Sequence, residues 1–231
     1  GDVYKRQALA GIWFLAIYML GFGFSLGLQV IIARRNGEQW YAETGKTFFQ
    51  GLFFLLILAV LLCMLSKIFS PVLLKHLITS DDVYNAVIRY LDWRIWGLLF
   101  SFPFLALRSF LVGITQTKAL NMAAFTAVLV NIPLNWLLIF GFDMGISGAA
   151  IASSSAEMCS LAVLAAYMFR HIDKKAYGLY WRIDITVLKE VFSISVWSML
   201  QFFTSVAIWF LFFVAIERLG ETELAVSNIV R

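Results

Sequence analysis

The sequence predicts an all-α integral membrane protein, a polytopic bundle of helices that crosses the bilayer several times. Hydrophobic residues make up 61% of the 231 residues and charged residues only 14%, which is far from the composition of soluble proteins. Six apolar runs recur, and each has about the 20 residues that a helix needs to cross a hydrocarbon core roughly 30 Å thick. Because backbone polar groups must be satisfied within lipid, each run is predicted to be a helix.

The six runs are predicted to be successive spans. They cover residues 8–33, 47–69, 95–114, 119–142, 146–169 and 191–216. The first contains Gly23 and Gly27 in a G-x-x-x-G arrangement, which favours close approach of another helix. Residues 70–94 form the longest connection, where Pro71 and the apolar residues after it predict a short interfacial helix.

Positive charges are concentrated in alternate connections. Residues 34–46, 115–118 and 170–189 carry lysines and arginines, whereas the other connections are mixed or acidic. The positive-inside rule places the first set in the cytoplasm. The net charge of +4 is therefore interpreted as a signal of membrane orientation, and no nucleic-acid partner is expected.

Motifs for catalysis or metal binding are lacking in the sequence. Cys63 and Cys159 both lie within apolar runs, so we expect small buried side chains rather than a disulfide or a metal site. The two histidines lie in connections without an H-x-x-x-H partner, and no P-loop occurs. We expect no catalytic residues, no resident metal and no organic cofactor.

Two asparagines and a proline stand out within the fourth run. Asn131 and Asn135 are four residues apart and share one helix face, and Pro133 lies between them. The proline predicts a kink that frees the carbonyl of Leu129. Two amides and a free carbonyl on one side of a helix could coordinate a cation, or they could only join helices by hydrogen bonds.

The fifth run carries a second polar pair, Ser153 and Glu157, again four residues apart. In antiparallel helices, the depth along each helix places Asn135 opposite Ser153 and Asn131 opposite Glu157 near the midplane. We therefore expect the four side chains to converge on one pocket. A carboxylate at that depth must be neutral, paired or functional, and a structural Glu–Asn hydrogen bond is the alternative.

Charged residues near the ends of the third run have a simpler interpretation. Arg108 lies near the inner end and Arg94 at the outer edge. Both are expected to extend their guanidinium groups to the nearest interface.

Several short stretches of this chain, in this order, resemble the multidrug and toxic compound extrusion (MATE) family. They are Tyr90-Leu91-x-x-Arg94-x-x-Gly97, Phe102-Pro103-Phe104, Gly113-x-x-x-Thr117-Lys118, Asn131-x-x-Leu134-Asn135 and Gly145-Ile146-Ser147-Gly148-Ala149. Each stretch alone is weak evidence for the family. The order and spacing of all the stretches over residues 11–231 make the match specific.

The resemblance implies an antiporter of two six-helix lobes in a bacterial inner membrane, of which this chain would be helices two to seven with the start of eight. We interpret residues 1–7 as a non-native leader and 8–171 as the incomplete first lobe. Residues 172–187 would be the cytoplasmic linker and 188–231 the start of the second lobe. Such a protein would act as a monomer and expel cationic, amphipathic compounds in exchange for Na⁺ or H⁺.

The resemblance also implies site residues. One branch of the family has a first-lobe cation site, whose matching positions here are Asn131, Asn135 and Ser153. An Asp of that site is replaced by Asn135, so Glu157 becomes the local candidate for carrying a proton or helping to hold Na⁺.

Another branch of the family has a helix-seven Glu, and the matching position here falls near Thr204 and Ser205, where no carboxylate occurs. The choice between Na⁺ and H⁺ stays open. Trp197, Gln201, Thr204 and Ser205 on the sixth run are predicted to line the substrate cavity, although lipid-facing aromatics and interhelical amides are the alternative.

Other functions remain compatible with the sequence. The alternative most similar to a drug transporter is a lipid-linked oligosaccharide flippase of the same superfamily. A membrane-embedded enzyme acting on lipid phosphates would need a convergent His/Arg/Asp set near one interface, and a purely structural membrane subunit would need no site at all. A second six-helix copy in the rest of the protein would favour a transporter.

Overall fold

The structure, a computed structural model, describes residues 2–78 and 80–219, with side chains from residue 10 to residue 215 apart from residue 79. Every regular element in these residues is a helix, and six helices are long and apolar enough to cross a membrane. The predicted fold class is therefore confirmed, and the chain is a multi-pass membrane protein. The last twelve residues of the predicted second-lobe segment lie outside the described residues.

Seven α-helices follow one another along the described part of the chain. They are α1 (Asp2–Gly37), α2 (Tyr41–Leu77), α3 (Asp81–Arg94), α4 (Leu98–Gly113), α5 (Lys118–Trp136), α6 (Gly145–His171) and α7 (Ile185–Leu219). A 3₁₀ turn over Ile95–Gly97 joins α3 to α4, so the two helices form one span. A π-helical segment over Leu137–Gly141 extends α5.

The connection between the second and third spans is much shorter than predicted. α2 continues through Pro71 to Leu77, and α3 begins at Asp81, so the expected interfacial helix within residues 70–94 is wrong. The residues after Pro71 are apolar, so the helix can continue in an apolar environment. A proline is tolerated within such a helix because neighbouring groups satisfy the backbone groups that it frees. Ser80 then caps α3, because its hydroxyl accepts a hydrogen bond from the Val83 amide at 3.4 Å.

The glycine pair of α1 packs against α7, which confirms the predicted close helix approach. A Cβ atom on Gly23 would lie 2.6 Å from backbone atoms of Met199, and one on Gly27 would collide with Ser195. The Ser195 hydroxyl donates to the carbonyl of Phe24 at 3.2 Å. The absence of side chains on these glycines therefore allows the first and sixth spans to touch through their backbones.

The segment before α7 is anchored to the start of α2. Gln50 donates to the carbonyl of Arg182 and accepts from the Asp184 amide at 2.9 Å. Lys46 forms an ion pair with Asp184 at 2.7 Å. The connection predicted to be an inter-lobe linker is therefore held by specific hydrogen bonds to the second span.

A buried arginine joins α1 to the same end of the bundle. Arg35 is 8% exposed, and its Nη2 atom lies 2.7 Å from Glu190 Oε2 on α7. Its Nη1 atom also donates to the Thr47 hydroxyl on α2. One guanidinium group thus connects three helices at the end where the positive-inside rule predicts cytoplasm.

Candidate functional site

A bidentate ion pair inside the bundle joins Arg94 and Glu157. Arg94 Nη1 lies 2.9 Å from Glu157 Oε2, and Nη2 lies 2.5 Å from Oε1, so the guanidinium binds the carboxylate through two parallel hydrogen bonds. The Ser101 hydroxyl donates to Glu157 Oε2 at 2.6 Å. The arginine side chain is 9% exposed and the glutamate side chain 28% exposed. The carboxylate is therefore paired and still reachable from one side.

A local feature of the third span makes this ion pair fit. The 3₁₀ turn over Ile95–Gly97 begins directly after Arg94, and Gly97 packs against α6. A Cβ atom at position 97 would lie 2.8 Å from Ser154 Oγ and 2.9 Å from Glu157 Oε2, and it would collide with the Arg94 guanidinium. The glycine therefore leaves the space that the ion pair occupies.

A cavity of about 280 Å³ opens beside the pair. Its lining residues come from α1, α3 and α6 and are Gly11, Phe14, Leu15, Tyr18, Tyr90, Arg94, Ser153 and Glu157. The Arg94 guanidinium stacks over the Phe14 ring, with 3.9 Å between its carbon and the ring centroid. Two opposite charges and three aromatic side chains thus share one concave surface, as in many ligand-binding sites.

The pair lies deep within the apolar part of the molecule. Glu157 is twelve residues into α6, which is about 18 Å from the start of that helix. A single charge at such a depth would be costly, and the bidentate pair with Ser101 as a further donor offsets that cost.

The location of Arg94 corrects the expectation that this residue extends to the interface. It is buried and bound to Glu157 because α3 begins at Asp81, which places Arg94 thirteen residues inside a continuous span. The signal available in the sequence was the presence of opposite charges within two spans, since charged residues in membranes usually pair.

The four residues predicted to converge separate into two groups. Asn135 Nδ2 donates to Asn131 Oδ1 at 2.8 Å, while Ser153 and Glu157 line the cavity. Among the described residues, no hydrogen bond joins either asparagine to Ser153 or Glu157, and neither asparagine lines this cavity.

The reason for this separation is the rotation of α6. On the face of α6 that meets α5, the Ser160 hydroxyl donates to the carbonyl of Ala123 at 3.0 Å. Glu157 is about 60° around the helix from Ser160 and therefore points towards α4 instead. Matched depth on two neighbouring helices was the basis of the prediction, and it does not fix which faces meet.

The remaining predicted residues lie away from the cavity. α5 continues across Pro133, and its geometry changes to π-helix four residues later, at Leu137. Trp197, Gln201, Thr204 and Ser205 all lie on α7 with exposed side chains, and none of them lines the cavity. Their assignment to a substrate cavity stays a prediction.

Comparisons with known proteins agree on one family. The family model MatE matches residues 7–137. The chain is 26% identical over 227 residues to "Probable multidrug resistance protein NorM" of Shewanella oneidensis, covering 94% of this chain and 49% of that protein. The protein of the same name from Synechocystis sp. is 29% identical, with coverages of 78% and 40%. The chain thus spans about half the length of the curated relatives it matches.

Solved structures show the same fold. An inward-facing multidrug resistance MATE family transporter of the MOP superfamily superposes with a TM-score of 0.85 at 21% identity, covering 96% of this chain and 52% of that one. The eukaryotic MATE transporter AtDTX14 superposes with a TM-score of 0.82 at 20% identity, with coverages of 93% and 48%.

Proposed function

Because the chain belongs to the MatE family, we propose that it is part of a secondary active efflux transporter. The transporter would export amphipathic compounds, cationic ones among them, in exchange for Na⁺ or H⁺. It would act as a monomer in the inner membrane of a bacterium. The names of the two bacterial relatives support multidrug export, and the family consists of transporters rather than enzymes.

The observation that carries this proposal is the cavity beside Arg94 and Glu157. Its aromatic lining offers apolar contact to the body of an amphipathic compound, and its carboxylate offers hydrogen bonds to a charged head. Both lie on spans of a membrane-embedded bundle, so a compound bound there would already be within the bilayer.

The coupling ion would act at the four residues predicted from the sequence. Asn131 and Asn135 form one pair on α5, and Ser153 and Glu157 form the other at the cavity. Asn135 already donates to Asn131, which leaves Asn135 Oδ1 for a cation, and oxygen ligands suit hard cations such as Na⁺. An amide does not take up a proton at neutral pH. Coupling to H⁺ would instead use Glu157, beside Ser153, during the part of the cycle in which Arg94 has released it.

The test uses the complete gene product in everted bacterial vesicles, with ethidium as the exported compound. Glu157→Gln is expected to abolish ethidium-driven movement of H⁺ or Na⁺ while the protein level stays unchanged. Asn135→Asp is expected to be tolerated and to strengthen Na⁺ binding. A loss in Glu157→Gln confined to H⁺ movement would assign proton coupling, and tighter Na⁺ binding in Asn135→Asp would support a cation site at the two asparagines.

A matched control is available on the surface. Glu38→Gln changes the same kind of side chain in an exposed pair with Arg34 and should leave export intact. Because Glu157→Gln leaves Arg94 without its partner, the double variant Arg94→Gln/Glu157→Gln serves to check folding. Normal coupling in Glu157→Gln would reduce Glu157 to a structural residue.

A further inference from the structure

We propose that the connection between α6 and α7 binds the phosphate groups of anionic phospholipids, on the side of the membrane that the positive charges indicate to be cytoplasmic. The binding surface, here named the linker surface, consists of Arg170, Lys174, Lys175, Trp181, Arg182 and Lys189. Such a site would be separate from the cavity beside Glu157, and it would not depend on which compound is exported.

The linker surface carries positive charge that the protein itself does not neutralise. Its five lysines and arginines have exposed side chains, and none of them forms an ion pair within the part of the chain that the structure describes. The nearby acidic side chains are engaged with other groups. Asp184 pairs with Lys46 and Glu190 with Arg35, each at 2.7 Å, while Asp173 accepts hydrogen bonds from two amides of its own turn. The five cations are therefore available to an external anion.

The backbone of the linker surface is fixed against the start of α2. Gly178 has a φ of +56°, and a Cβ atom there would lie 2.8 Å from the carbonyl oxygen of Ala42. Gln50 bonds the backbone on both sides of Ile183, through the preceding carbonyl and the following amide. A surface that is already ordered loses less conformational entropy when a ligand binds.

The indole of Trp181 indicates the depth of this surface in the bilayer. Its ring centroid lies 5.6 Å from that of Phe49 and 5.7 Å from that of Phe53. Both phenylalanines belong to the first two turns of the apolar run 47–69, where the hydrocarbon core is expected to begin. Trp181 is still 60% exposed, and tryptophan favours the boundary between hydrocarbon and headgroups. Arg182, the next residue, can then extend its guanidinium into the layer of phosphates.

A phospholipid matches both the charge and the aromatic part of this surface. Its phosphate can accept two parallel hydrogen bonds from the guanidinium of Arg182 and further ones from the ammonium groups of Lys174 and Lys175. Its acyl chains can cover the exposed part of Trp181, which a soluble anion would leave in water. Each basic side chain beside a leaflet favours anionic lipid about fivefold.

The experiment measures which lipid is enriched near the linker surface. The complete gene product, with Cys63 and Cys159 replaced, receives a donor dye on a cysteine at the exposed position Ala176. It is reconstituted into phosphatidylcholine vesicles that contain a trace of fluorescent lipid. The two probes are phosphatidylglycerol and phosphatidylcholine, each with the same fluorophore on an acyl chain, and energy transfer from the dye reports their local concentrations.

The phosphatidylglycerol probe is expected to be enriched about fivefold or more over the phosphatidylcholine probe, and the enrichment should fall at high salt. Lys175→Gln/Arg182→Gln should reduce it towards onefold, whereas Lys175→Arg/Arg182→Lys, which keeps both charges, should retain it. Arg34→Gln/Lys118→Gln is the matched control, because it removes the same charge from exposed side chains in the other basic connections. This control should keep the enrichment.

A second readout tests the aromatic part of the surface. The difference in fluorescence between the wild type and Trp181→Phe reports on Trp181 alone. Phosphatidylglycerol that is brominated on its acyl chains should quench this difference signal, because the indole would lie against those chains. An unquenched signal would contradict the position of Trp181 at the hydrocarbon boundary.

Equal loss of enrichment in Lys175→Gln/Arg182→Gln and in Arg34→Gln/Lys118→Gln would overturn the proposal, since the positive charge would then act as a diffuse field. Equal enrichment of the two probes in the wild type would also overturn it. Displacement of the phosphatidylglycerol probe by inorganic phosphate, but not by chloride at the same ionic strength, would indicate a site for soluble anions and would contradict a lipid site.

Discussion

Lys46 and Asp184 lie 138 positions apart in the sequence and meet at 2.7 Å, between Nζ and Oδ2. The other carboxylate oxygen of Asp184 accepts hydrogen bonds from the amides of Thr186 at 2.9 Å and Val187 at 3.2 Å. One side chain therefore caps the first turn of α7 and also fixes that turn to the second span.

Asp184 gives a prediction about pH. The Lys46 ammonium, which hydrogen-bonds the carboxylate, and the amides of Val187 and Thr186 lower the pKa of Asp184 below its usual range. Because the pKa is lower in the folded state, this contribution to stability is complete above the ordinary carboxyl pKa, about 3.9. It is lost as the pH falls through the lowered value.

The expected result is a melting-temperature difference between the wild type and Asp184→Asn that is constant from pH 8 to pH 5 and disappears in stronger acid. Asp184→Ala should be less stable than Asp184→Asn, since an asparagine still caps the helix. Melting curves in detergent over this range provide the measurement. A difference that grows in acid would show that the sign is wrong.

Gly97 gives a prediction about the ion pair. Gly97→Ala places a methyl group against Arg94, Ser154 and Glu157, and we expect a loss of roughly 1–3 kcal/mol of stability from this overpacking. Gly37→Ala is the matched control, because nothing lies within 4 Å of a Cβ atom there. Equal melting temperatures for the two variants would contradict the packing described around Gly97.

The contact between α1 and α7 gives a third prediction. In Gly23→Val the new side chain meets the backbone of Met199, which cannot rotate away, so the two helices must separate. A disulfide between cysteines at Phe22 and Phe202, whose rings are 5.4 Å apart, should form more slowly in this variant. Val30→Ile adds volume on an exposed face of α1 and should leave the rate unchanged.

The orientation in the membrane gives a fourth prediction. In a background without Cys63 and Cys159, a cysteine at Ala176 should react with an impermeant maleimide only after the membrane is opened. A cysteine at Asn85, exposed near the start of α3, should react in intact cells. The opposite pattern would reverse the orientation that the positive charges indicate.

The spans could be predicted from the sequence because length and apolarity determine them almost alone. The extension of α2 beyond Pro71 was missed, since a proline is a weaker helix breaker within an apolar bundle than in water. The G-x-x-x-G arrangement at Gly23 predicted a close contact, whereas its partner α7 depends on the tertiary arrangement of the helices.

The candidate site was harder to predict than the spans. Glu157 was found from its charge and depth, but its partner was not, because the pairing depends on how far α6 is rotated about its own axis. Sequence spacing defines which residues share a face of one helix. It does not define which neighbouring helix that face meets, and so the asparagines of α5 were assigned to Glu157 instead of Arg94.

The length of α2 has a consequence for the surface of the cell. Its 37 residues make a rod about 56 Å long, whereas a helix tilted by 40°, the upper end of the usual range, needs only about 39 Å to cross the hydrocarbon core. At least three helical turns must therefore stand clear of the hydrocarbon. α2 ends at Leu77 and α3 begins at Asp81, so in the predicted orientation the outer ends of the two helices form a helical hairpin at the membrane surface. Val72 and Leu73, both exposed, would anchor its base, and a thicker bilayer would cover more of it.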